Sequence, residues 1–443
     1  MTAVSRKPDI KELSLALDLC LRVGEMLLAN GAGAADVTAT MDAVGHHLGL
    51  RRTDIDVTFT HLSMGYQYDP AAPALLMTRQ VKQRSIDYGD LTLVDHLVRD
   101  LLDDKIDLYL ARSQMATIMS VKPPIPRWAV TIGNGVMCAS VAMFLGGNWP
   151  VISIAFLAAV TIDRVQLSMG KARLPNFYRQ VVGGVVATLF AVGAAAADLS
   201  VDTSLVVTAN IIMLLAGVGF MGALADALSG FYVTAGARII EALLATMGII
   251  AGVSGGLALG VRLGVDVGRI EPGRYGWQAL GMLMLGSALC AAAFAFACYA
   301  PWRALLPTAL TAGVASGVYR AIDETALGRS WAAAVAAVLI GLVSYSVSGR
   351  VRVPPLVVVV PALVPLLPGL SIYRGLSLLN QGGAQTSAGL LAMVTAGSVA
   401  LALAAGVILG EYIAQPVKRE ARKLERRLAG PRLVGVFSAR SRR

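Results

Sequence analysis

Downstream of residue 122 the chain is a succession of apolar runs, several approaching the ~20 residues that an α-helix needs to cross a hydrocarbon core. No other feature restricts the fold so severely. Within lipid every backbone N–H and C=O must be satisfied inside the segment itself, which a helix achieves. Only 15% of the 443 residues are charged and 56% are hydrophobic, against roughly 25% charged residues in soluble domains. The chain is predicted to be mainly α, a polytopic helical membrane protein. Ten spans are expected, at roughly 128–146, 150–164, 180–197, 204–225, 236–260, 277–299, 304–319, 331–348, 354–373 and 388–412.

Charge is distributed unevenly along this frame. Residues 1–120 carry 16 acidic and 12 basic groups, whereas the tail 416–443 carries 2 acidic and 10 basic. The basic excess reads as a topology signal rather than as a nucleic-acid footprint. With the N-terminus cytoplasmic, the inside connections hold Lys171, Arg173, Arg179, Arg303, Arg350 and Arg352. The first two outside connections, "GGNW" and "ADLSVDTS", have no Lys or Arg. Both termini are therefore placed inside. The tail is expected to lie on an anionic lipid leaflet or to stay disordered. Nothing in the first 30 residues has the pattern of a cleaved signal peptide.

Residues 1–121 read as a small α+β cytoplasmic domain. Leu13, Leu17, Leu21, Gly24 and Leu28 keep a helical period, and Val37, Met41, Val44 and Leu48 begin a second helix. "DIDVTFT" alternates as a strand, "DPAAP" makes a turn, "ALLMTRQV" is the expected partner strand, and a helix follows over about 91–110.

Shifting the chain by 152 residues brings "MLLAGVGF" onto "PLLPGLSI", with Gly217 meeting Gly369. The order of long, short and interrupted spans matches as well. Five spans per copy is an odd number, so the two copies, 122–261 and 262–415, enter the membrane from opposite sides. Two inverted five-helix repeats are an architecture typical of secondary transporters, which bind substrate where interrupted helices meet.

Between Asp202 and Arg262 only Asp226, Arg238 and Glu241 are charged. A charge at mid-bilayer costs at least ~2.5–3.5 kcal/mol, so each should face a partner, a cavity or the interface. Ser229, Gly230 and Gly236 lie among them, and "SGFYVTAG" permits a helix break with a free N-terminus near Ala235. An interfacial Asp226–Arg238 pair in an inside loop is the competing reading. In the second half Pro361, Pro365 and Pro368 precede Gly369, Ser371 and Tyr373, and the prolines predict a kink or interruption. Asp163–Arg164 reads as an interfacial anchor, and Asn134 and Asn210 as interhelix hydrogen-bond partners.

Other chemistries leave no trace. His46, His47, His61 and His96 show no metal-ligand spacing, and neither a metal nor a cofactor is expected. Cys20, Cys138, Cys290 and Cys298 form no framework. There is no GxSxG, Walker-type loop or CxxC pair.

"LRVGEMLLANGAGAADVTATMDAVGHHLGL" followed by "DVTFTHLS", then "LADALSGFYVTAGARIIEALLATMGIIAGVSGG", and later "VPLLPGLSIYRGL", resemble the threonine/serine exporter family over roughly residues 11–412. The resemblance implies a cytoplasmic N-terminal domain, ten spans in two related halves in a bacterial plasma membrane, and proton-driven export of small hydroxy amino acids. The family motif carries over Asp226, Ser229, Gly230, Gly236 and Arg238. Where the family often has a proline before the first glycine break, Ala216 precedes Gly217 here.

The expected function is thus a secondary exporter of threonine, serine or similar amino acids, not an enzyme. Its substrate carboxylate would face Arg238 or a helix N-terminus, its ammonium Asp226 or Glu241, and one of these acids would carry the coupling proton. Substrate, protons and membrane lipids are the expected partners, and assembly as a homo-oligomer is left open. A membrane-anchored hydrolase with its site in residues 1–120, or an uncoupled small-solute channel, are the alternatives.

Overall fold

The computed structural model describes residues 10–68, 73–82, 84–121, 124–197, 201–214, 217–265, 280–381 and 383–428. At the N-terminus α1 (Ile10–Ala29) packs on α2 (Ala34–His47). The expected stripe on α1 is buried, and Gly24 leaves room for the Met41 side chain to cross. Gly31, at φ 90°, ends α1, its amide and that of Ala32 closing on Leu28 and Leu27.

Three antiparallel strands cover this pair: β1 (Thr53–Thr58), β2 (His61–Tyr66) and β3 (Leu75–Gln80), in that spatial order. The expected partner strand exists as β3, but it pairs with β2 and not with β1. Strand β2 escapes sequence reading because its turn, Phe59–Thr60, holds no Gly, Asn or Asp; Phe59 itself takes the left-handed conformation at φ 52°. The turn at "DPAAP" falls outside the described residues except for Pro73. The single helix expected over 91–110 is instead α3 (Tyr88–Leu102) and α4 (Leu108–Ser120). Each begins at an aspartate cap: Asp87 accepts from the Asp90 amide at 3.0 Å, and Asp107 from that of Leu110 at 2.8 Å.

Among the described residues twelve α-helices follow. The first six are α5 (Arg127–Phe144), α6 (Trp149–Lys171), α7 (Asn176–Ala196), α8 (Thr203–Leu214), α9 (Gly217–Leu228) and α10 (Tyr232–Arg262). The second six are α11 (Leu280–Ala297), α12 (Trp302–Asp323), α13 (Gly328–Val351), α14 (Leu356–Leu363), α15 (Gly369–Gln381) and α16 (Thr386–Leu428). Starts at 127, 149, 176, 203, 217 and 232 are answered at 280, 302, 328, 356, 369 and 386, a displacement of 152 to 154 residues throughout. Gly217 and Gly369, aligned by the sequence shift, each open the second half of a broken pair.

Packing repeats with the same correspondence. Helix α7 lies on α10 as α13 lies on α16, and α5 on α6 as α11 on α12. Across the middle, α5 meets α11, while α9 meets α16 and α15 meets α10. Bare backbone makes the closest pairs possible. An added Cβ at Gly252 of α10 would collide with the Val181 carbonyl of α7, and one at Gly410 of α16 with the Val338 carbonyl of α13.

Among the described residues six helices are individually long and apolar enough to cross a membrane: α6, α7, α10, α11, α13 and α16. The bent pairs α8–α9 (44°) and α14–α15 (47°) bring the number to eight if each is one span. Helices α5 and α12, at the places of the first and seventh expected spans, are as long as α11 or longer but fall short in hydropathy. Polar groups turned inward lower their hydropathy: Thr131 and Asn134 on α5, Thr308, Thr311 and Ser316 on α12. Their outward faces are apolar, with Trp128, Ile132 and Val136 on one and Trp302, Leu306, Leu310 and Val314 on the other. Helix α16 runs on through the expected span end at 412 as far as Leu428.

Candidate functional site

The three charges of the apolar stretch separate into two pairs. Asp226, near the end of α9, and Arg238, in the second turn of α10, lie 2.6 Å apart, with side chains only 1% and 5% exposed. Gly230, at φ 91°, ends α9: the Gly230 amide donates to the Ala227 carbonyl and the Phe231 amide to that of Asp226. The chain then re-enters a helix at Tyr232, three residues before the expected start near Ala235, and this tight reversal brings the two side chains together. Glu241, one turn further along α10, meets Arg84 of the N-terminal segment at 3.3 Å. Ser229 bonds back to the Ala225 carbonyl and is exposed, and Gly236 has open space around it.

The N-terminal segment is clasped by this hairpin. Asp226 accepts the Ala34 amide at 2.8 Å, capping the first turn of α2, whose own cap residue Gly33 has no side chain to offer. Thr234 accepts from the Phe59 amide at 3.0 Å and donates to the Val57 carbonyl at 3.1 Å, holding the β1–β2 turn. The same segment touches other connections. The Tyr88 amide donates to the Cys298 carbonyl between α11 and α12, and a His96 ring nitrogen lies 3.0 Å from the Arg352 carbonyl after α13. In α3 burial, reinforced by the charge of Asp87, pushes the Asp90 carboxyl up to about 6.

Between the segment and the helices lies a cavity of about 340 Å³, within the size of small-molecule sites. The segment contributes Asn30, Arg84 and Tyr88. Helix α10 contributes Arg238 and Glu241, α7 Gln180, α9 Gly219 and Gly222, and α14 Leu356 and Val360. Both broken pairs therefore wall the cavity. Their breaks also touch, since Leu367, the extended residue between α14 and α15, fits where a Cβ on Gly217 would be. Two guanidiniums and one carboxylate on an otherwise largely apolar wall can accept a ligand carrying charges of both signs.

The threonine/serine exporter family model matches residues 18–260, and a second threonine/serine exporter model matches residues 283–413. A "Threonine/serine exporter" of Corynebacterium glutamicum is 32% identical over 422 residues, covering 94% of this chain and 85% of that protein. A "Probable threonine/serine exporter" of Mycobacterium tuberculosis is 31% identical over 412 residues, covering 91% and 77%. The chain belongs to the threonine/serine exporter family. It is a membrane-embedded transporter and not an enzyme. A "Probable succinate transporter subunit YjjP" of Escherichia coli is 24% identical over 236 residues, 53% of this chain but 91% of that protein. No solved structure matches.

Of the residues that the resemblance to the exporter family carries over, Arg238 lines the cavity, and so does Glu241, singled out by its charge. Asp226 stands behind Arg238, and Ser229, Gly230 and Gly236 belong to the hairpin. Pro368, Gly369, Ser371 and Tyr373 form the second break: the helix tightens at Val364–Leu366, Leu367 is extended, and α15 resumes at Gly369. Tyr373 is buried in the core of the first six helices. Asp163 pairs with Arg127 at 2.7 Å and accepts from Thr131 and Asn134. It thus links α5 to α6, and its ion-pair partner among the described residues is Arg127 at the start of α5 and not the neighbouring Arg164. Asn134 is an interhelix partner, whereas the Asn210 amide bonds to Val206 of its own helix. Sequence reading missed Arg84, Thr234 and Tyr88. Nothing marks them locally, because their roles come from contacts across about 150 residues or more of chain. Among the described residues no group of three His, Cys, Asp or Glu could hold a metal.

Proposed function

We propose that this chain is a secondary exporter of small hydroxy amino acids, threonine and serine, driven by the proton gradient across a bacterial plasma membrane. The cavity carries the reading: it is walled by both broken helices and lined by charges of both signs, as a zwitterion requires. The names of the two long relatives supply the hydroxy amino acids.

Ten spans in two inverted repeats, 122–261 and 262–415, complete the proposal, with a cytoplasmic domain over 1–121 and a basic tail over 416–443. The constant displacement of helix starts and the repeated packing support the duplication. Trp128, Trp149, Trp302 and Trp331, exposed in the first turns of α5, α6, α12 and α13, suit interfacial positions and favour counting α5 and α12 as spans. The segment over 1–121 touches the connections after the fourth, sixth and eighth proposed spans, which such a topology puts on one side. Arg303, Arg350 and Arg352 lie at the last two of these, as cytoplasmic connections require. In this scheme the cluster of Asp226, Arg238 and Glu241 forms the region where substrate and proton are handled, Ser229, Gly230 and Gly236 shape the hairpin, and Pro368, Gly369, Ser371 and Tyr373 the opposing break. The tail faces anionic lipid.

Efflux of a panel of amino acids from proteoliposomes, with and without an imposed pH gradient, tests the reading. Threonine and serine should leave fastest and accelerate with an inward proton gradient. Flux indifferent to that gradient would convert the exporter into a channel, and a panel without threonine or serine efflux would sink the substrate assignment.

A further inference from the structure

The two arginines of the cavity are held very differently. Arg238 is committed: it lies 2.6 Å from Asp226, reaches the Ala32 carbonyl at 3.4 Å, and its side chain is 5% exposed. Asp226 in turn is engaged by the Ala34 amide. Withdrawing either partner would leave a buried charge uncompensated, so opening this pair to a ligand is costly, although Arg238 Nε itself has no hydrogen-bond partner. Among the described residues the one ion pair of Arg84 is a longer contact of 3.3 Å with Glu241, whose side chain is 52% exposed. Both line the cavity.

Arg84 is nevertheless well placed. Its guanidinium lies 5.1 Å from the centre of the Phe59 ring, a cation–π arrangement. The Phe59 amide is held by Thr234 of α10, the helix that carries Glu241. Segment and helix thus present one positive and one negative group at a set separation.

An α-amino acid carries the complementary two charges. Its carboxylate matches a guanidinium, which can bind it through two parallel hydrogen bonds, and its ammonium matches a carboxylate. Entry of the zwitterion exchanges one ion pair for two, and no charge is left unpaired before or after. A lone anion or a lone cation would leave Glu241 or Arg84 without its partner.

We propose that Arg84, supplied by the N-terminal segment, binds the substrate carboxylate while Glu241 binds its ammonium, and that Asp226–Arg238 is the fixed clasp that seats the segment over the site. The assignment rests on the exporter reading and deepens it. The N-terminal segment becomes half of the binding site, and a transporter lacking it would lack its carboxylate receptor.

The test uses the full chain, purified and reconstituted, with L-threonine, L-threonine amide (no carboxylate) and N-acetyl-L-threonine (no ammonium) as probes. Arg84→Gln should raise the KM for threonine at least about tenfold while the maximal rate changes less than about threefold. It should also erase the preference for threonine over the amide. Arg84→Lys should retain part of that preference, as a point charge does. Glu241→Gln should erase the preference over the N-acetyl compound. A merely structural Arg84 would lower transport of threonine and the amide alike, or lower the thermal midpoint with KM unchanged, and either result overturns the assignment. A wild-type chain that moves no threonine would overturn the exporter reading itself, and the assignment with it.

Discussion

Asp226 and Arg238 face each other at 2.6 Å across the α9–α10 hairpin, and the second oxygen of Asp226 holds the Ala34 amide of a helix 192 residues earlier. One carboxylate therefore ties the hairpin to itself and to the N-terminal segment. Buried ion pairs are close to neutral in net stability, but removing one member is costly.

Asp226→Ala should therefore destabilise the full chain by about 3–5 kcal/mol, with Arg238→Ala in the same range. Thermal unfolding in detergent measures it. Asp226→Asn should be milder than Asp226→Ala if the amide oxygen keeps the Ala34 bond. Equal losses would show that this cap contributes nothing.

Thr234→Val keeps the side-chain shape and removes both bonds to the β1–β2 turn, at a cost of about 1–3 kcal/mol. Amide exchange at Phe59 should accelerate, and exchange in the middle of α7 should not change.

Gly252→Ala should prevent α7 and α10 from closing, because the new methyl meets the Val181 carbonyl backbone. A loss of at least ~1–3 kcal/mol is expected, read as folded yield on size-exclusion chromatography. Gly255, with open space around it, is the control, and Gly255→Ala should be tolerated.

Asp90 supplies a pH dependence. Burial, then Asp87, raises its carboxyl from 3.8 to about 6 in the folded chain. The folded state then binds more protons than the unfolded one between those values, so this group's contribution is full below about 4 and lost as pH rises through 6. Asp90→Asn should raise the thermal midpoint relative to wild type at pH 7.5, and the difference should vanish near pH 4. A constant difference across the range would assign the effect to something other than ionisation.

Much of the helical frame was legible in the sequence. Leu13, Leu17, Leu21 and Leu28 report their buried face through spacing alone, and the prolines at 361, 365 and 368 announce a break that the chain makes at Leu367. The 152-residue shift, seen first in a few residues around Gly217, holds for the start of every helix in the two sets to within two residues. Strand β2 was not legible, since Leu62 and Met64 alternate correctly but no turn residue separates them from β1. The split of α3 from α4 lay in the aspartates Asp103, Asp104 and Asp107, which end one helix and cap the next.

For the candidate site the division is sharper. Composition and period are local, so the sequence by itself determined that the chain enters a membrane, that its helices recur in two sets, and that Asp226, Arg238 and Glu241 could not stand alone in apolar surroundings. Which partner each charge takes is a matter of distance in space. Only the tertiary structure decided that Asp226 turns to Arg238 and Ala34 while Glu241 turns to Arg84. Gly230 reverses the chain between α9 and α10, and the N-terminal segment docks on that reversal, so groups well over a hundred residues apart meet within hydrogen-bond reach. A charge in an apolar run declares that it needs a partner, and folding selects which one it gets.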